Sequence, residues 1–355
     1  MSDCKKFYNN ICKEINRSDK LQDDKLQDFE RIFSVKQDSE DKNVKLTEEQ
    51  KFAANFYKAP IINYKGYITG KSKVNNTRYS EVIADTLVSK GYIKTWLELQ
   101  PLRPNHFDTG HNHSESVDMN KLQISNRKEE ILAKLLFYQR EVKDLGYIFD
   151  YQTPLKKVQS DPYGKIDLLG YNSKDKCYSI IELKYRPSGS EETLLRCVLE
   201  AYTYYKLFDL NQIESAQNHK GINELRALND YKHTENAELV ILFDEKSCIK
   251  ADNGDYTNLM LRIDPNEVNK ANYPSKTVIS QQYKECLELV NTDKRDSLRT
   301  LCKTILEQEP NLKQIRFVVL RVDSNSKKNH PEYITGWDEN LDRFYRAETL
   351  LTISK

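Results

Sequence analysis

The second half of the chain carries its apolar residues with two clear periods. SNRKEEILAKLLFYQREVKDLG has the helical period of an amphipathic helix with Ser125 as its N-cap, and SEETLLRCVLEAYTYYKLF repeats that period. Strand-like runs lie between and after these helices: YIFDYQTPLKK, KIDLLGY, CYSIIELKY and AELVILFD. The order helix, three strands, helix, strand predicts an α/β layer with a mixed sheet. Two more helices, SQQYKECLELV and SLRTLCKTILEQ, and a strongly apolar strand, IRFVVLRVD, follow.

The first half of the chain has weaker patterns. Its first 45 residues are highly charged and contain one short helical pattern. LTEEQKFAANFYKAP predicts a helix that Thr47 and Gln50 cap and that ends before Pro60. IINYKGYI and YIKTWLELQPL read as strands, and between them SEVIADTLVSKG reads as a helix that begins at Ser80 and stops at Gly91. We therefore expect an N-terminal helical and α+β region.

A polar segment separates the two halves. Residues 103–122, RPNHFDTGHNHSESVDMNKL, are rich in turn formers and predict a long loop or a linker. We therefore divide the chain into a region of residues 1–122 and a domain of residues 123–355. Clustered imidazoles can bind zinc or another transition metal, but without a fixed spacing a solvated loop is the favoured interpretation. The loop contains His106, Asp108, His111 and His113.

Composition narrows the class of protein. The 355 residues contain 55 Lys and Arg against 54 Asp and Glu, so the formal charge of +1 gives no global bias toward polyanions. Seven scattered cysteines without a Cys-x-x-Cys pair argue against a disulfide framework and a structural zinc site. The sequence has no apolar run of the roughly 20 residues that a bilayer requires, and its start lacks a signal-peptide core. These features predict a soluble cytoplasmic protein with reduced thiols.

The second and third strands carry charge where burial is expected. With Lys174 and Asp175 as a two-residue turn, Asp167 lies opposite Glu182 on the paired strand. Alternation puts Lys184 on the same face as Glu182. Two opposed carboxylates in a half-buried sheet are costly unless a cation lies between them, so this arrangement predicts a site for a hard divalent metal. The alternative is a buried salt bridge of Lys184 with one of the carboxylates.

This constellation, Asp167 and then Glu182-Leu183-Lys184 after fourteen intervening residues, resembles the PD-(D/E)XK nuclease superfamily. The resemblance covers about residues 125–245 and implies a restriction-endonuclease-like mixed sheet flanked by helices. It also implies Mg²⁺ or Mn²⁺ as cofactor, with Asp167 and Glu182 as ligands and Lys184 as a catalytic donor. The helix before the sheet supplies a further glutamate in that superfamily, and Glu129 matches it, since Glu130 points away from the apolar stripe.

The helix after the hairpin adds a polar stripe of Arg196, Glu200 and Tyr204, spaced four residues apart. Related nucleases use this helix beside the active site, so the stripe could contact a phosphate or tune Lys184; a solvated ion pair is an equal alternative. Basic residues near the strand ends could also contact phosphates, and these are Lys156, Lys157, Lys165 and Arg186.

The sequence therefore predicts a divalent-metal-dependent nuclease that acts on nucleic acid, DNA rather than RNA, in restriction, repair or phage defence. Residues 1–122 would bind the target or a partner, by analogy with the family. A homodimer is compatible with this prediction. The first alternative is a non-catalytic nucleic-acid or protein binding module on a nuclease-like fold. The second is a small-molecule metalloenzyme centred on the histidine loop.

Overall fold

The structure is a computed structural model that describes most of the chain from residue 47 onward. The described ranges are 47–68, 77–103, 105–107, 127–155, 163–186, 192–250, 256–258, 260–261, 276–291, 296–323 and 344–355. Several predictions lie outside them. These are the helical pattern in the first 45 residues and the residues Asp108, His111, His113, Lys156 and Lys157. The predicted cap at Ser125 is wrong, because the helix begins at Lys128 and its N-cap is Arg127.

The N-terminal region is helical with one small sheet. Helix α1 (Glu48–Asn55) begins at the predicted capping box of Thr47 and Gln50, and 3-10 turns (Phe56–Lys58 and Pro60–Asn63) follow it. Strands β1 (Tyr67–Ile68) and β2 (Thr77–Arg78) pair antiparallel before helix α2 (Tyr79–Ser89).

Two strand predictions in this region are wrong. IINYKGYI forms a 3-10 turn and only two strand residues, and YIKTWLELQPL forms the 3-10 helix Tyr92–Glu98. In the second case Gly91 has a left-handed backbone conformation directly before the 3-10 helix. Ile93 and Trp96, three residues apart, are buried on one face of that helix, whereas a strand would bury every second residue. The predicted cap at Ser80 is also wrong, because α2 begins after Arg78 and Ser80 lies inside it.

A seven-stranded mixed sheet forms the centre of the molecule, in the spatial order β12-β11-β7-β6-β5-β4-β3. Strands β6, β7 and β11 are mutually parallel, and the other neighbours are antiparallel. The strands are β3 (Glu141–Val142), β4 (Gly146–Pro154), β5 (Lys165–Asn172), β6 (Cys177–Lys184), β7 (Ala237–Asp244), β11 (Leu312–Asp323) and β12 (Phe344–Ser354). The coarse prediction of an α/β protein with a mixed sheet flanked by helices is confirmed. A smaller sheet contains β8 (Lys246–Lys250), β9 (Tyr256–Asn258) and β10 (Lys276–Ile279).

Helices cover both faces of the large sheet. They are α3 (Lys128–Gln139), α4 (Leu194–Leu207), α5 (Gln212–Ser215), α6 (Lys220–Arg226), α7 (Gln281–Asn291) and α8 (Asp296–Gln308). Helix α3 packs on one face with apolar residues such as Leu132 and Leu136, which contact Ile181 and Leu183 of β6 in the same cluster. On the other face, α4, α7 and α8 share a core with the N-terminal residues from Phe52 to Leu99. The two regions predicted from the sequence therefore share one core where they are described.

The two edges of the large sheet approach each other beside α3. The Ala347 amide of β12 donates a 2.9 Å hydrogen bond to the carbonyl of Lys143, which follows β3. The Gln139 side chain at the end of α3 bonds both backbone groups of Tyr345. The sheet thus curls around α3 and fixes the end of this helix. In the described part of the chain, no helix is long and apolar enough to cross a bilayer.

Candidate active site

The hairpin of β5 and β6 has the register that the sequence predicts. Leu168 pairs with Ile181 and Asn172 with Cys177. Both are the pairs expected of a hairpin whose turn is centred between Lys174 and Asp175. The turn is longer than predicted, because four residues, Ser173 to Lys176, connect the strands instead of two. The Asn172 side chain accepts a 3.2 Å hydrogen bond from the Asp175 amide and closes this turn. The centre of the turn is unchanged, so the pairs from Leu168 to Asn172 are those expected, whereas the predicted pair of Asp167 and Glu182 falls one position beyond the last pair of the ladder.

Asp167 lies just beyond the last backbone pair of this hairpin. Its Oδ2 accepts a 3.0 Å hydrogen bond from the Leu183 amide, and its Oδ1 accepts one of 3.1 Å from the Gln152 side chain. The carboxylate thus replaces a strand partner where the two strands separate. Burial and the nearby Glu129 raise the pKa of Asp167 well above its usual range.

Glu182 and Lys184 share one face of β6, as the alternation predicts. Both are buried, and the Lys184 ammonium contacts the Glu182 carboxylate. The same ammonium lies 2.8 Å from Glu192 Oε2 and 3.1 Å from Glu200 Oε2. Burial and the charge of Glu200 raise the pKa of Glu182, whereas Glu182 and Glu200 outweigh burial and raise the pKa of Lys184. Lys184 is therefore a charged ammonium held by three carboxyl groups.

Glu129 reaches this cluster from the first turn of α3. Its Oε2 accepts a 2.7 Å hydrogen bond from the Tyr185 amide, directly after β6. Burial raises the pKa of Glu129, and Lys184 opposes that shift. Glu130, in contrast, forms an exposed pair with Arg127. Of the two candidate glutamates, Glu129 is thus the one that lies beside the motif.

The polar stripe of α4 faces the cluster rather than solvent. Glu200 and Tyr204 are buried, and the Tyr204 hydroxyl donates a 2.9 Å hydrogen bond to Glu200 Oε1. Burial opposes ionisation of Glu200, but Lys184 and Arg196 outweigh it and lower its pKa. Arg196 lies 3.3 Å from Glu192, and its buried Nε has no hydrogen-bond partner among the described residues. Its Nε also lies 4.0 Å from Glu200 Oε2, so Arg196 forms ion pairs with the glutamates four residues before and after it.

The two described surface cations lie at the same end of the sheet as the motif. Lys165 begins β5, two residues before Asp167, and pairs with Pro154 of β4. Arg186 is exposed two residues after Lys184. Both are placed as the sequence predicts, near the strand ends.

The cluster as a whole has more carboxyl groups than cations. Five carboxyl groups surround Lys184 and Arg196, and these are Glu129, Asp167, Glu182, Glu192 and Glu200. One buried oxygen, Oε2 of Glu182, accepts no hydrogen bond from an amide, hydroxyl or cationic donor in the described part of the chain, and the Glu182 and Glu200 carboxyl groups lie within hydrogen-bonding reach of each other. That part also contains no group of three His, Cys, Asp or Glu side chains arranged to hold a metal ion. The site therefore combines an excess of negative charge with two motif carboxylates, Asp167 and Glu182, instead of a closed shell of protein ligands.

Two residues of the site were not predicted. Glu192 precedes α4 and binds Lys184, and its only signal in the sequence is its spacing of four residues from Arg196. Tyr57 comes from the N-terminal region, and its hydroxyl lies 3.2 Å from that of Tyr204. No local pattern links it to residues more than a hundred positions away.

His106 has a structural role. Its Nδ1 lies 3.1 Å from the Pro154 carbonyl, and its Nε2 accepts a 3.1 Å hydrogen bond from the Asp209 amide. Burial lowers its pKa to about 4, so the ring is neutral at physiological pH. Both ring nitrogens are occupied, so His106 does not support the metal-site alternative, and because it is buried the favoured interpretation of a solvated loop is wrong at this residue.

Comparison of the chain with protein-family models, curated proteins and solved structures finds no match. Its function has to be inferred from its own geometry.

Proposed function

We propose that this chain is a divalent-metal-dependent nuclease with a restriction-endonuclease-like fold. The proposal rests on one observation, the convergence of Asp167, Glu182, Lys184 and Glu129 at one end of the large sheet. The elements that carry them follow in the order that the resemblance implies: α3, the strands β4 to β6, α4, and β7 parallel to β6. We take the substrate to be nucleic acid, DNA rather than RNA.

The donor set fits a hard cation. Asp167 and Glu182 offer carboxylate oxygens, among them the buried Glu182 Oε2, which accepts no hydrogen bond from an amide, hydroxyl or cationic donor among the described residues. Mg²⁺ commonly takes one or two protein carboxylates and completes its shell with water and substrate phosphate, so three protein ligands are not required. Asp167 and Glu182 would hold the ion, and Glu129 would hold it through water or hold a second one. The bound cation would supply a Lewis acid that polarises the phosphate and activates water.

The chain's own residues supply the rest of the chemistry. Lys184 carries a positive charge that offsets the charge developing on phosphate oxygens. Its three protons face Glu182, Glu192 and Glu200, so it would donate a hydrogen bond to the attacking water when Glu182 turns to the cation. Glu192 and Glu200 keep that ammonium charged and in place. Arg196, which lies 3.3 Å from Glu192 and 4.0 Å from Glu200, is assigned to a neighbouring phosphate that would take the place of one of these carboxylates.

Metal dependence tests this proposal directly. The purified protein is incubated with plasmid, linear duplex DNA, single-stranded DNA and RNA, each with Mg²⁺, Mn²⁺, Ca²⁺ or EDTA. We expect cleavage with Mg²⁺ and Mn²⁺, and little with Ca²⁺, whose looser shell positions water poorly. Asp167→Asn should abolish cleavage, whereas Asp85→Asn, a matched change on the exposed side of α2, should not. Undiminished cutting in EDTA would refute the metal mechanism.

One observation favours a second candidate, a non-catalytic binding module on the same fold. The ammonium of Lys184 is bound by three carboxyl groups, as in a structural ion pair. The same incubation separates the two candidates. Binding of nucleic acid without cleavage under every metal condition would favour the module.

A further inference from the structure

Tyr57 of the N-terminal region is buried against helix α4. It lies in the 3-10 turn Phe56–Lys58, and only 2% of its surface is exposed. Its ring packs edge-on against the ring of Tyr204, with 5.7 Å between centroids, and the two hydroxyl oxygens are 3.2 Å apart.

These hydroxyls form a directed hydrogen-bond chain. The Tyr204 hydroxyl has one proton, which it donates to Glu200 Oε1. The bond between the two tyrosines must therefore be donated by Tyr57. Glu200 Oε2 in turn accepts from the Lys184 ammonium at 3.1 Å. Four groups, Tyr57, Tyr204, Glu200 and Lys184, are thus connected in one chain that begins outside the motif-bearing domain.

The surroundings hold this chain in place. A Cβ on Gly164 would lie 2.5 Å from the Tyr204 hydroxyl, so glycine leaves the room that the hydroxyl occupies. The N-terminal segment is also tied to the start of α4, since the Thr193 amide and hydroxyl donate to Asn63 and to the Ile62 carbonyl, both at 2.8 Å. Tyr57 therefore approaches α4 on a fixed segment.

We propose that Tyr57 is a positioning residue for Lys184, acting through Tyr204 and Glu200. On the proposed nuclease function, on which this inference rests, the N-terminal region completes the catalytic site instead of only selecting the target. Without the Tyr57 hydroxyl, Tyr204 loses its donor and Glu200 loses part of the constraint on its orientation. The Lys184 ammonium then samples more positions, and fewer molecules have it placed for reaction.

The test compares two matched changes of tyrosine to phenylalanine. Tyr57→Phe removes one hydroxyl from the chain. Tyr178→Phe removes the hydroxyl of a partly buried pair, 2.7 Å from that of Tyr231 and 3.1 Å from His233 Nδ1. Tyr178 lies six residues before Lys184 on β6, about 20 Å away. We expect Tyr57→Phe to lower kcat by about three- to tenfold, the effect of one hydrogen bond, with KM unchanged. Tyr178→Phe should leave both constants as in the wild type. If wild-type protein cleaves and the two variants have equal kcat, the inference is wrong and the nuclease function stands.

A second readout does not need cleavage. In protein labelled with ¹⁵N-lysine, the buried Lys184 ammonium should give a slowly exchanging NMR signal, assigned by its absence in Lys184→Met. Tyr57→Phe should broaden this signal or speed its exchange with water, and Tyr178→Phe should not. If wild type cleaves nothing, the nuclease function fails, and an unchanged Lys184 signal in Tyr57→Phe would separately overturn the inference. Should Tyr57→Phe not fold, Gly164→Ala displaces the Tyr204 hydroxyl instead, and it should change the same signal.

Discussion

Strands β6 and β7 bury a charged cluster at each end, and the two clusters differ in how their charge is compensated. At the hairpin end, the fully buried Glu238 accepts hydrogen bonds from Ser179 at 2.6 Å, from Gln314 at 2.6 Å and from Arg316 at 3.1 Å, and Asn172 adds a longer one. One carboxylate thus has one cation and three further donors. At the other end, five carboxyl groups surround Lys184 and Arg196, with the charge of Lys58 acting on Glu200 as well, and Glu182 Oε2 accepts no hydrogen bond from an amide, hydroxyl or cationic donor among the described residues.

The difference indicates which cluster serves the fold and which is available for chemistry. A buried charge that only stabilises a fold is fully paired, because any unpaired part costs several kcal/mol. Glu238 meets this condition, because side chains of the protein itself supply all of its hydrogen-bond donors and its cation. The cluster around Lys184 meets it only if its carboxyl groups take up protons or a cation, as the raised pKa of Asp167, Glu182 and Glu129 indicates.

The largest expected effect concerns Lys184. If it is a donor and not a ligand, Lys184→Ala should lower cleavage by about 10³-fold or more, as loss of a transition-state donor does. Its binding of Mn²⁺ should persist or become tighter, because one nearby positive charge is removed. Asp167→Ala should lose cleavage and Mn²⁺ affinity together. Calorimetric titration of Mn²⁺ beside cleavage rates measures both quantities.

Lys174→Ala, in the turn at the opposite end of the hairpin, is the control and should leave both quantities unchanged. Loss of Mn²⁺ affinity in Lys184→Ala as complete as in Asp167→Ala would contradict the assigned roles. If the wild type binds no Mn²⁺, even with nucleic acid present, the Lys184 cluster is not a metal site, and it would not differ in function from the Glu238 cluster.

The second effect is on stability and uses the same substitution at each end. Glu238→Gln leaves Arg316 buried without its carboxylate and should lower the free energy of unfolding by about 3–5 kcal/mol. Glu182→Gln removes one of three carboxyl groups from Lys184 and relieves repulsion, so we expect no loss in the free energy of unfolding. Urea unfolding of both variants at neutral pH in EDTA measures the difference. Equal destabilisation by the two substitutions would mean that the Lys184 cluster is structural too.

The strands and helices around the motif could be predicted because their signals are local. The buried run AELVILFD, the hairpin register from Leu168 to Asn172, and the placement of Glu129 follow from periodicity within single elements. Strand β12 was not predicted. Its sequence FYRAETLLTIS mixes polar and apolar residues, because several of its side chains are exposed while its backbone pairs with β11.

The rest of the site depends on contacts between distant segments. That Lys184 binds Glu192 and Glu200 is decided by how α4 packs on the sheet, and that Tyr57 reaches Tyr204 is decided by the N-terminal segment. The 3-10 helix Tyr92–Glu98 illustrates the same limit: its aromatic and β-branched residues favour a strand, but burial of Trp96 in the core overrides that preference. Only the tertiary structure gives such contacts.

The smallest expected effect is on the pH dependence of stability, and it isolates the excess charge at the Lys184 end. A carboxyl group whose folded pKa is raised binds its proton more tightly in the native state than in the unfolded one. Its contribution to stability is therefore present at low pH and is lost as pH rises from the unfolded pKa, near 4.5 for glutamate, toward the folded value.

Glu182→Gln cannot lose this contribution, since the amide does not titrate. The free energy of unfolding of the wild type should thus fall relative to that of Glu182→Gln as pH rises above 4.5, by at most about 1.4 kcal/mol per pH unit. Urea unfolding of both proteins in EDTA, from mildly acidic to neutral pH, gives the difference at each pH, in which titration of the other groups largely cancels. If the two curves of unfolding free energy against pH are parallel, the charge of Glu182 is fully compensated by Lys184. The clusters at both ends of the sheet would then be fully paired. A widening gap that Mn²⁺ closes at neutral pH would instead show that the excess charge at this end is what a cation neutralises, because ligand binding to the native state adds to its stability.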